Sequence, residues 1–219
     1  MAKQNIYQSL KGVSYRRYLL NQKLNFLFSD FSAGIVVDMG GTNAVSHKYF
    51  KFPKEKAGKW ITLNIDPEAK PDMFASIYDT GLPDQYADAV VCTEVFEHLE
   101  DPYSAMREIK RILKPGGIFI GSTPFLFKIH GDPDDYFRYT ESALRRIFLK
   151  DFSEVEIYPM GGGLGTVGML ISQITNDLKY RVLKYAAIYL ARWMAVVDYK
   201  MGHERKDAVT TGYIWKCKL

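Results

Sequence analysis

Short apolar runs alternate with amphipathic segments along this chain, a pattern typical of a sheet that is covered by helices on both faces. We assign seven apolar runs to strands: residues 34–38, 60–65, 73–77, 87–92, 117–123, 152–158 and 212–217. Helical segments separate most of these runs, as in right-handed βαβ units. The pattern therefore predicts an α/β protein with a mostly parallel sheet.

Two helices carry clear start signals. The first is predicted from Pro102 to Leu113, with Asp101 as its N-cap and a proline at its first position. Residues 114–117, Lys-Pro-Gly-Gly, are expected to end it. The second helix is predicted to begin after Thr140, whose hydroxyl can serve as a cap.

Two further helical regions flank the sheet in sequence. Residues 6–29 have apolar side chains at steps of three and four, so we expect an N-terminal helical cap over residues 1–30 that lies at the rim of a pocket. Residues 161–201 form an insertion between the last two strands, which starts with a glycine cluster and continues as apolar, aromatic helix.

Composition adds few constraints. The chain of 219 residues is 47% hydrophobic and 25% charged, as in ordinary soluble proteins, and its net charge of +4 argues only weakly for nucleic acid as a partner. The first residues do not form the apolar core of a secretory signal, so we expect a cytoplasmic protein. Cys92 and Cys217 are too few for a cysteine-rich zinc site, and we predict no metal site.

Small, polar or acidic residues follow the predicted strands where each strand ends. Gly40 and Gly41 come after the first strand, and glycine permits unusual backbone angles and leaves space for a ligand. Asp66 ends the second strand, Asp79 follows the third and Glu94 the fourth. Parallel sheets bind ligands beyond the carboxyl ends of their strands, so these residues outline a pocket.

Several segments resemble the class I S-adenosylmethionine (SAM)-dependent methyltransferases. Val37-Asp38-Met39-Gly40 is similar to the D-x-G-x-G motif of the family, and Asp66 is similar to the acidic residue of its second motif. Residues 92–99 are similar to the family's segment after the fourth strand, and residues 111–117 are similar to its R-x-L-K-P-G-G turn. His130 followed by Asp-Tyr-Phe-Arg-Tyr-Thr resembles methyltransferase type 11-like proteins that are associated with bacterial surface polysaccharide pathways.

The resemblance covers about half of the chain. It implies a Rossmann-like three-layer sandwich, with a seven-stranded sheet whose last strand is antiparallel and a helical insertion between the last two strands. It also implies SAM as the cofactor, and we expect one methyltransferase domain over residues 1–219.

The implied cofactor site follows the strand ends. Seven residues are predicted to bind SAM: Asp38, Gly40, Gly41, Asp66, Asp79, Thr93 and Glu94. Asp66 is expected to accept both ribose hydroxyls, through bonds of roughly 1.5–3 kcal/mol each, and Asp79 is placed to meet the adenine amine. Thr42 stands where the family has its second glycine, so the turn is either one residue shorter or carries a side chain towards the ligand.

An NAD-dependent dehydrogenase is the nearest competing interpretation, since it also combines a glycine turn with an acidic strand end. Its G-x-G-x-x-G fingerprint is missing, because residues 40–45 read Gly-Gly-Thr-Asn-Ala-Val and lack the third glycine. The Glu-Val-Phe-Glu-His-Leu segment also has no role in that fold.

Methyl transfer is an in-line displacement, so alignment of the acceptor matters most. Positioning can contribute roughly 7–11 kcal/mol, whereas a general base contributes about 3–5 kcal/mol. Residues 125–140, which follow the fifth strand, are rich in His, Asp, Tyr and Arg and are expected to overhang the methyl group. We predict that His130 or Asp135 accepts a proton from a substrate hydroxyl, while Tyr136 and Arg138 shape the acceptor pocket.

Simpler interpretations stand beside these roles. Asp132 to Asp135 can form a solvated turn, Arg138 can pair with Asp135 for structural reasons, and Tyr139 can serve packing alone. His98 is predicted to face the substrate, although a capping or core role explains it equally well.

The insertion contains a second ambiguous signal. Residues 178–197 place apolar and aromatic side chains on one helical face, with Lys179, Lys184 and Arg192 elsewhere and no acidic residue between. Such a helix can lie on an anionic membrane, which suits a lipid-linked sugar acceptor. Packing against its own domain or in a homodimer is the simpler expectation.

The sequence thus predicts a SAM-dependent methyltransferase that acts at oxygen of a small-molecule or saccharide acceptor. A noncatalytic SAM-binding or assembly protein on the same fold is the alternative from another class. A nucleic-acid methyltransferase is disfavoured, because no Asn-Pro-Pro-Tyr-like tetrad is present.

Overall fold

The computed structural model describes residues 13–29, 31–43, 52–131, 134–175, 179–202 and 209–219. Its strands are β1 (Ala33–Met39), β2 (Ala57–Asn64), β3 (Met73–Phe74), β4 (Ala87–Thr93), β5 (Leu113–Pro124), β6 (Glu154–Pro159) and β7 (Gly212–Lys218). Its helices are α1 (Tyr15–Leu27), α2 (Pro102–Ile112), α3 (Glu141–Phe148), α4 (Gly163–Thr175) and α5 (Arg181–Lys200). The predicted helical residues 6–12 lie outside the described part of the chain.

The strands form one seven-stranded sheet in the order β3-β2-β1-β4-β5-β7-β6. Strands β1 to β5 pair in parallel, whereas β7 runs antiparallel to both of its neighbours. This arrangement confirms the predicted fold, including the antiparallel last strand. The order of the strands reverses between β1 and β4, and the carboxyl edge at such a switch point is where open α/β sheets bind ligands.

Apolar side chains fill both faces of the sheet. On one face, Phe119 of β5 packs with Phe148 of α3 and Trp215 of β7. On the other face, Leu20 and Leu24 of α1 are fully buried against the sheet. Helices therefore cover the sheet from both sides, which accounts for strands that are apolar throughout.

Both predicted N-caps are present. The Asp101 carboxylate accepts hydrogen bonds of 3.1 Å from the backbone amides of Tyr103 and Ser104, and the Thr140 hydroxyl accepts one of 3.2 Å from Ala143. The boundary after α2 differs from the prediction, because β5 begins directly at Leu113 instead of at residue 117. Pairing of Leu113 with Ala87 of β4 extends the strand through the Lys-Pro-Gly-Gly segment.

Helix α1 covers the sheet and also reaches the rim of the carboxyl edge. Tyr15, in its first turn, donates a 2.9 Å hydrogen bond to the buried Asp198 of α5. The neighbouring Arg16 forms an ion pair with Glu94, directly after β4. The start of α1 thus contacts both the insertion and the loop that follows β4.

The insertion is the helix pair α4 and α5, which lies between β6 and β7 as predicted. Ala191, Ala195 and Asp198 form the buried side of α5. The apolar face predicted from the sequence is exposed instead: Val182, Tyr185, Tyr189 and Trp193 all point to solvent. Helix α5 thus packs on its own domain through Ala191, Ala195 and Asp198, whereas the predicted apolar face is left exposed.

Within the described ranges, the structure contains no helix that is both long enough and apolar enough to cross a membrane.

Candidate functional site

The turn after β1 brings two glycines against the loop that follows β4. Gly40 has a φ of +75°, and a Cβ atom at this position would lie 2.4 Å from Cγ2 of Val95. The Gly40 amide donates a 2.8 Å hydrogen bond to the Leu63 carbonyl, and the Gly41 amide a 3.2 Å bond to the Asp38 carbonyl. The turn therefore needs glycine for its backbone angle and its contact with Val95, and both amides already have partners.

Asp38 ends β1 beneath this turn and is only 3% exposed. The Trp60 indole donates a 3.3 Å hydrogen bond to its carboxylate. Burial raises the pKa of Asp38 to about 7, and the Trp60 hydrogen bond offsets only part of this effect. Asp38 thus supports the turn from below as a carboxyl group that titrates near neutral pH.

Asn64 links the glycine turn to Asp66. Its side-chain amide donates a 3.1 Å hydrogen bond to the Gly41 carbonyl, and its side-chain oxygen accepts one of 2.9 Å from the Asp66 amide. Asp66 is exposed, and its Oδ1 accepts a 2.9 Å bond from the Glu68 amide. The structure thus places Asp66 beside the turn with its carboxylate accessible.

Thr42 and Asn43 fasten the other side of the turn. The Thr42 hydroxyl and the Asn43 amide each donate a 3.0 Å hydrogen bond to the Ala69 carbonyl. The side chain that replaces the second glycine of the family motif is thus hydrogen-bonded to the protein. The loop from Asp66 to Ala69 is held against the end of β1 as a consequence.

Asp79 lies on an exposed turn beyond β3, and its position depends on α2. The adjacent Thr80 is buried and donates hydrogen bonds of 2.8 Å from its amide and 2.6 Å from its hydroxyl to Glu108. Hydrogen bonding to Arg111, together with these bonds, lowers the pKa of Glu108 to about 2. An ionised Glu108 therefore anchors the loop that carries Asp79.

Thr93 is the last residue of β4, and Glu94 follows it with a φ of +58°. The Glu94 carboxylate accepts a 2.6 Å hydrogen bond from the Ser122 hydroxyl and is ion-paired with Arg16. Burial raises the pKa of Glu94, but the Arg16 charge outweighs it and the net shift is downward. The Glu94 carboxylate is thus ionised and held by the protein itself.

A fully buried carboxyl group, Glu97, lies in the short 3-10 turn after β4. Its Oε2 accepts a 3.3 Å hydrogen bond from the Thr123 hydroxyl, whereas Oε1 has no hydrogen-bond partner among the described residues. Oε1 lies 3.8 Å from Nε2 of His98 and 3.9 Å from Nε2 of His130. Burial, followed by the charge of Glu94, raises the pKa of Glu97 to about 8.

His130 and Asp135 form a second pair beside Glu97. Asp135 Oδ2 accepts a 2.9 Å hydrogen bond from the His130 amide and lies 3.3 Å from His130 Nδ1. Arg138 binds both oxygens of Asp135 and, ahead of burial, lowers the pKa of that carboxyl to about 2. Burial lowers the pKa of His130 despite the charge of Asp135. His130 is therefore the better proton acceptor, and Asp135 is placed to orient it.

Arg138 and Tyr136 have different surroundings. Arg138 also donates hydrogen bonds of 3.1 Å to the Lys128 carbonyl and 2.9 Å to the Phe137 carbonyl, so it closes the loop between β5 and α3. Tyr136 is 46% exposed, and its backbone amide donates a 2.8 Å bond to the Glu97 carbonyl. Tyr136 is thus the residue of this pair whose side chain is accessible to a substrate. Its hydroxyl donates a 3.3 Å hydrogen bond to Asp134 Oδ2.

The predicted residues form two groups along the same edge of the sheet. Asp38, Gly40, Gly41 and Asp66 gather at the ends of β1 and β2, and Asp79 follows on its separate turn. His98, His130 and Asp135 gather around Glu97. The contact between Gly40 and Val95 joins the two groups.

Sequence reasoning did not identify four residues of this site: Arg16, Asn64, Glu97 and Glu108. Asn64 had a visible signal, since it is a polar residue in an apolar strand two positions before Asp66. Glu97 lay inside a quoted motif without an assigned role. The contacts of Arg16 and Glu108 join distant parts of the chain and have no local signal.

Residues 44–121 match the methyltransferase domain family Methyltransf_11. The matched segment contains Asp66, Asp79, Glu94 and Glu97. It excludes the glycine turn on one side and the His130 loop on the other.

Curated relatives cover short parts of the chain. The ubiquinone/menaquinone biosynthesis C-methyltransferase UbiE of Caulobacter vibrioides is 28% identical over 106 residues, which covers 39% of this chain and 42% of that protein. The ubiquinone biosynthesis O-methyltransferase of Aeromonas salmonicida is 43% identical over 51 residues, covering 23% of this chain and 21% of that protein. The chain thus spans less than half of the length of either relative.

The fold has a relative that extends over almost the whole chain. A SAM-dependent methyltransferase from Archaeoglobus fulgidus superposes with a TM-score of 0.57 at 18% identity, covering 93% of this chain and 94% of that one. This protein therefore has the Rossmann-like fold found in SAM-dependent methyltransferases, and its residues 44–121 match a methyltransferase domain family.

Proposed function

We propose that this protein is a SAM-dependent methyltransferase that methylates an oxygen atom of a small-molecule or saccharide acceptor. The observation that carries the proposal is the connection from the Gly41 turn through Asn64 to the exposed Asp66, at the switch point of the sheet. A ribose diol needs a carboxylate at this edge, and the family match, which covers Asn64 and Asp66, supports that assignment.

The strand ends provide the groups that SAM needs. Asp66 is accessible for the ribose hydroxyls, and Asp79 lies on an exposed turn for the adenine amine. The Gly40 and Gly41 turn, supported by Asp38, forms the backbone beside which the amino-acid part would lie. Thr93 and Glu94 line the same edge, and the ion pair with Arg16 fixes the backbone of Glu94.

When bound, SAM supplies a methyl group on a positively charged sulfur. The acceptor oxygen takes this methyl group and displaces the sulfur. His130 Nε2 takes the proton that the acceptor hydroxyl loses, since burial keeps the imidazole neutral. Asp135 holds the His130 backbone amide and lies 3.3 Å from Nδ1 of the imidazole, and Arg138 holds Asp135. Tyr136 contacts the acceptor through its exposed side chain, and His98 lies beside Glu97 and His130.

The exposed apolar face of α5 favours an acceptor that lies at a lipid surface. Val182, Tyr185, Tyr189 and Trp193 are exposed on a helix whose basic residues Arg181 and Arg192 adjoin this face. Apolar side chains flanked by basic ones fit an anionic lipid surface, so a lipid-linked saccharide of a surface polysaccharide pathway is the acceptor class that we favour. A cytoplasmic location suits this role. Alternatively, the same face can pack against a second copy of the chain in a homodimer.

A noncatalytic SAM-binding or assembly protein is the second candidate. It is favoured by the internal contacts of Asp135, whose carboxylate is held by Arg138 and the His130 amide. This arrangement leaves His130 as the remaining proton acceptor of the predicted pair.

Transfer of a radiolabelled methyl group from SAM to bacterial cell-envelope extracts tests the proposal. We expect label to enter an acceptor with the wild-type protein, and transfer to fall by about 10²–10⁴-fold in the His130→Ala variant. Glu100→Gln, a change of a nearby exposed carboxyl, serves as the matched control. SAM binding without any transfer would favour the noncatalytic candidate, and absence of both would contradict the proposal.

A further inference from the structure

We propose that Glu97, His98 and His130 bind a divalent transition-metal cation beside the methyl-acceptor site. One oxygen or nitrogen atom from each of the three residues lies within 4.8 Å of the others. They converge from two segments, the turn after β4 and the loop after β5, at the carboxyl edge of the sheet. The sequence analysis did not predict this site.

The Glu97 carboxylate supplies the first argument. The side chain is fully buried, and its Oε1 has no hydrogen-bond partner in the described part of the chain. A buried carboxylate oxygen is costly unless it is paired or coordinates a metal. Since Thr123 already occupies Oε2, a cation at Oε1 would complete the coordination of this group.

The hydrogen bonds around the two histidines direct their ring nitrogens. His98 Nδ1 bonds to the Asp134 carbonyl, which can only accept, so Nδ1 carries the proton and Nε2 keeps its lone pair. His130 Nδ1 lies 3.3 Å from Asp135 Oδ2 outside hydrogen-bond geometry, and the negative charge of this carboxylate favours a proton on Nδ1. Metal-binding histidines typically donate their other ring N–H to a carbonyl or carboxylate in this way.

The spacing of the ligand atoms is close to that around a small cation. Two ligands about 2.0–2.1 Å from a zinc ion are roughly 3.4 Å apart at a tetrahedral angle. The observed separations from Glu97 Oε1 are 3.8 Å to His98 and 3.9 Å to His130. These distances are too long for hydrogen bonds but need only small side-chain movements to close around an ion.

The charges that face the cluster also favour a cation. Arg16 pairs with Glu94 and Arg138 pairs with Asp135, so these four groups balance one another. Glu97 is then the carboxylate without an ion-pair partner of fixed charge among the described residues. A divalent ion at Oε1 would displace the carboxyl proton of Glu97 and put a positive charge beside the resulting carboxylate.

The donor set indicates the class of metal. Imidazole nitrogen with one carboxylate suits Zn²⁺, Fe²⁺ or Co²⁺ more than Mg²⁺ or Ca²⁺, which prefer oxygen ligands. Three protein ligands leave a position open for an acceptor hydroxyl, whose pKa the metal would lower. This role rests on the proposed methyltransferase function. With a metal bound, His130 is a ligand and does not accept the proton directly. The proton of the acceptor hydroxyl is then released to solvent.

Metal titration of chelator-treated protein, without SAM, tests the site directly. We expect one equivalent of Zn²⁺ to bind by calorimetry, and Co²⁺ in its place to show the absorption of a nitrogen- and oxygen-ligated ion. Glu97→Gln and His130→Gln should each abolish this binding, whereas Glu100→Gln should leave it unchanged. Asp135→Asn, which supplies no ligand atom but contacts His130 and Arg138, should weaken binding by about 10–100-fold.

The variants keep the inference falsifiable. Glu97→Gln changes a buried group and requires a check of folding by circular dichroism, whereas His130 is partly exposed and its substitution should be tolerated. Failure of Zn²⁺ and Co²⁺ to bind, or equal binding by His130→Gln and the wild type, would overturn the metal site. SAM binding with no metal binding would overturn this inference alone, and metal binding without methyl transfer to any acceptor would count against the proposed function alone.

Discussion

Arg16 of α1 forms an ion pair with Glu94, the residue that follows β4, and both side chains are largely buried. Glu94 occupies the left-handed region of backbone angles, which is unfavourable for a residue with a Cβ atom. The pair therefore fixes a strained loop between the two groups of candidate site residues. It also makes the position of the N-terminal helix part of the structure of the site.

Replacing Arg16 with Met should be strongly destabilising, because it leaves the Glu94 carboxylate buried without its partner. We expect the free energy of unfolding to fall by about 3–5 kcal/mol, measured by urea denaturation. The double variant Arg16→Met/Glu94→Gln should recover most of this loss, since it removes the charge as well. Additive losses from the two substitutions would show that the pair is not coupled.

Gly40→Ala should disturb the β1 turn in two ways. The residue has a φ of +75°, and the new Cβ would lie 2.4 Å from Val95. Gly116→Ala is the matched control, because Gly116 has a φ of +76° and a Cβ there meets nothing within 4 Å. We expect the control to lose about 1–2 kcal/mol of unfolding free energy, and Gly40→Ala to lose a further 1–3 kcal/mol or so.

The additional loss in Gly40→Ala should disappear when Val95 is also replaced by Ala. Urea denaturation of the single and double variants measures this. If the two glycine variants are equally destabilised, contact with Val95 is not the reason for glycine at position 40.

Asp38 should make stability depend on pH. Burial raises its pKa from 3.8 to about 7 in the folded state, so the folded protein keeps a proton that the unfolded chain releases. The stability contributed by this protonation is complete below about pH 4 and is lost as the pH rises towards 7. Above that pH, Asp38 no longer makes the free energy of unfolding depend on pH. Asp38→Asn does not titrate and should gain stability relative to the wild type over this range, on the order of 4 kcal/mol.

Unfolding free energies of both proteins between pH 4 and pH 8.5 measure this effect. Asp84→Asn, which changes a largely exposed carboxyl, controls for the loss of one negative charge. A difference between Asp38→Asn and the wild type that is the same at every pH would exclude a raised pKa for Asp38.

The exposed face of α5 predicts binding to anionic vesicles. Tyr189 and Trp193 are 60% and 59% exposed, and basic residues lie close to them. In flotation assays we expect the protein to rise with phosphatidylglycerol vesicles more than with phosphatidylcholine vesicles, and less at high salt. Tyr189→Ser/Trp193→Ser should reduce the bound fraction severalfold, whereas Leu149→Ser, an exposed apolar control elsewhere, should not.

Light scattering of the same variants separates the two occupants of this face. A dimer that dissociates in Tyr189→Ser/Trp193→Ser, with no flotation of the wild type, would assign the face to a second copy of the chain and contradict the membrane prediction.

Much of the fold could be predicted from local patterns. Strands buried on both faces are apolar throughout, and the caps Asp101 and Thr140 act within their own helices. The start of β5 could not be predicted, because the pairing of Leu113 with Ala87 overrides the turn signal of Lys-Pro-Gly-Gly. Long-range pairing of this kind has no local signature.

The orientation of α5 could not be predicted from the sequence pattern either. Amphipathicity suggested that the large apolar side chains would be buried, but small residues make the contact instead. Ala191 lies so close to α4 that a Cβ atom on Gly168 would be 2.8 Å from its carbonyl oxygen. Small side chains permit this approach of two helices, and the aromatic residues then lie on the outside.

The candidate site was predictable only in part. Asp66 and the glycine turn follow their strands directly, so motif and position agree. The partners of the buried charges come from distant segments, as in Arg16 with Glu94 and Glu97 with His130. Such contacts depend on how the loops meet in three dimensions, which periodicity and spacing do not encode.

Calorimetric titration with S-adenosylhomocysteine, the demethylated product, tests the central claim most directly. We predict binding of one equivalent to the wild type, a loss of about 10–100-fold in affinity for Asp66→Ala, and no change for Glu68→Ala on the same turn. No binding to the folded wild type, or equal affinity in Asp66→Ala, would contradict the assignment of this edge of the sheet as the site for SAM.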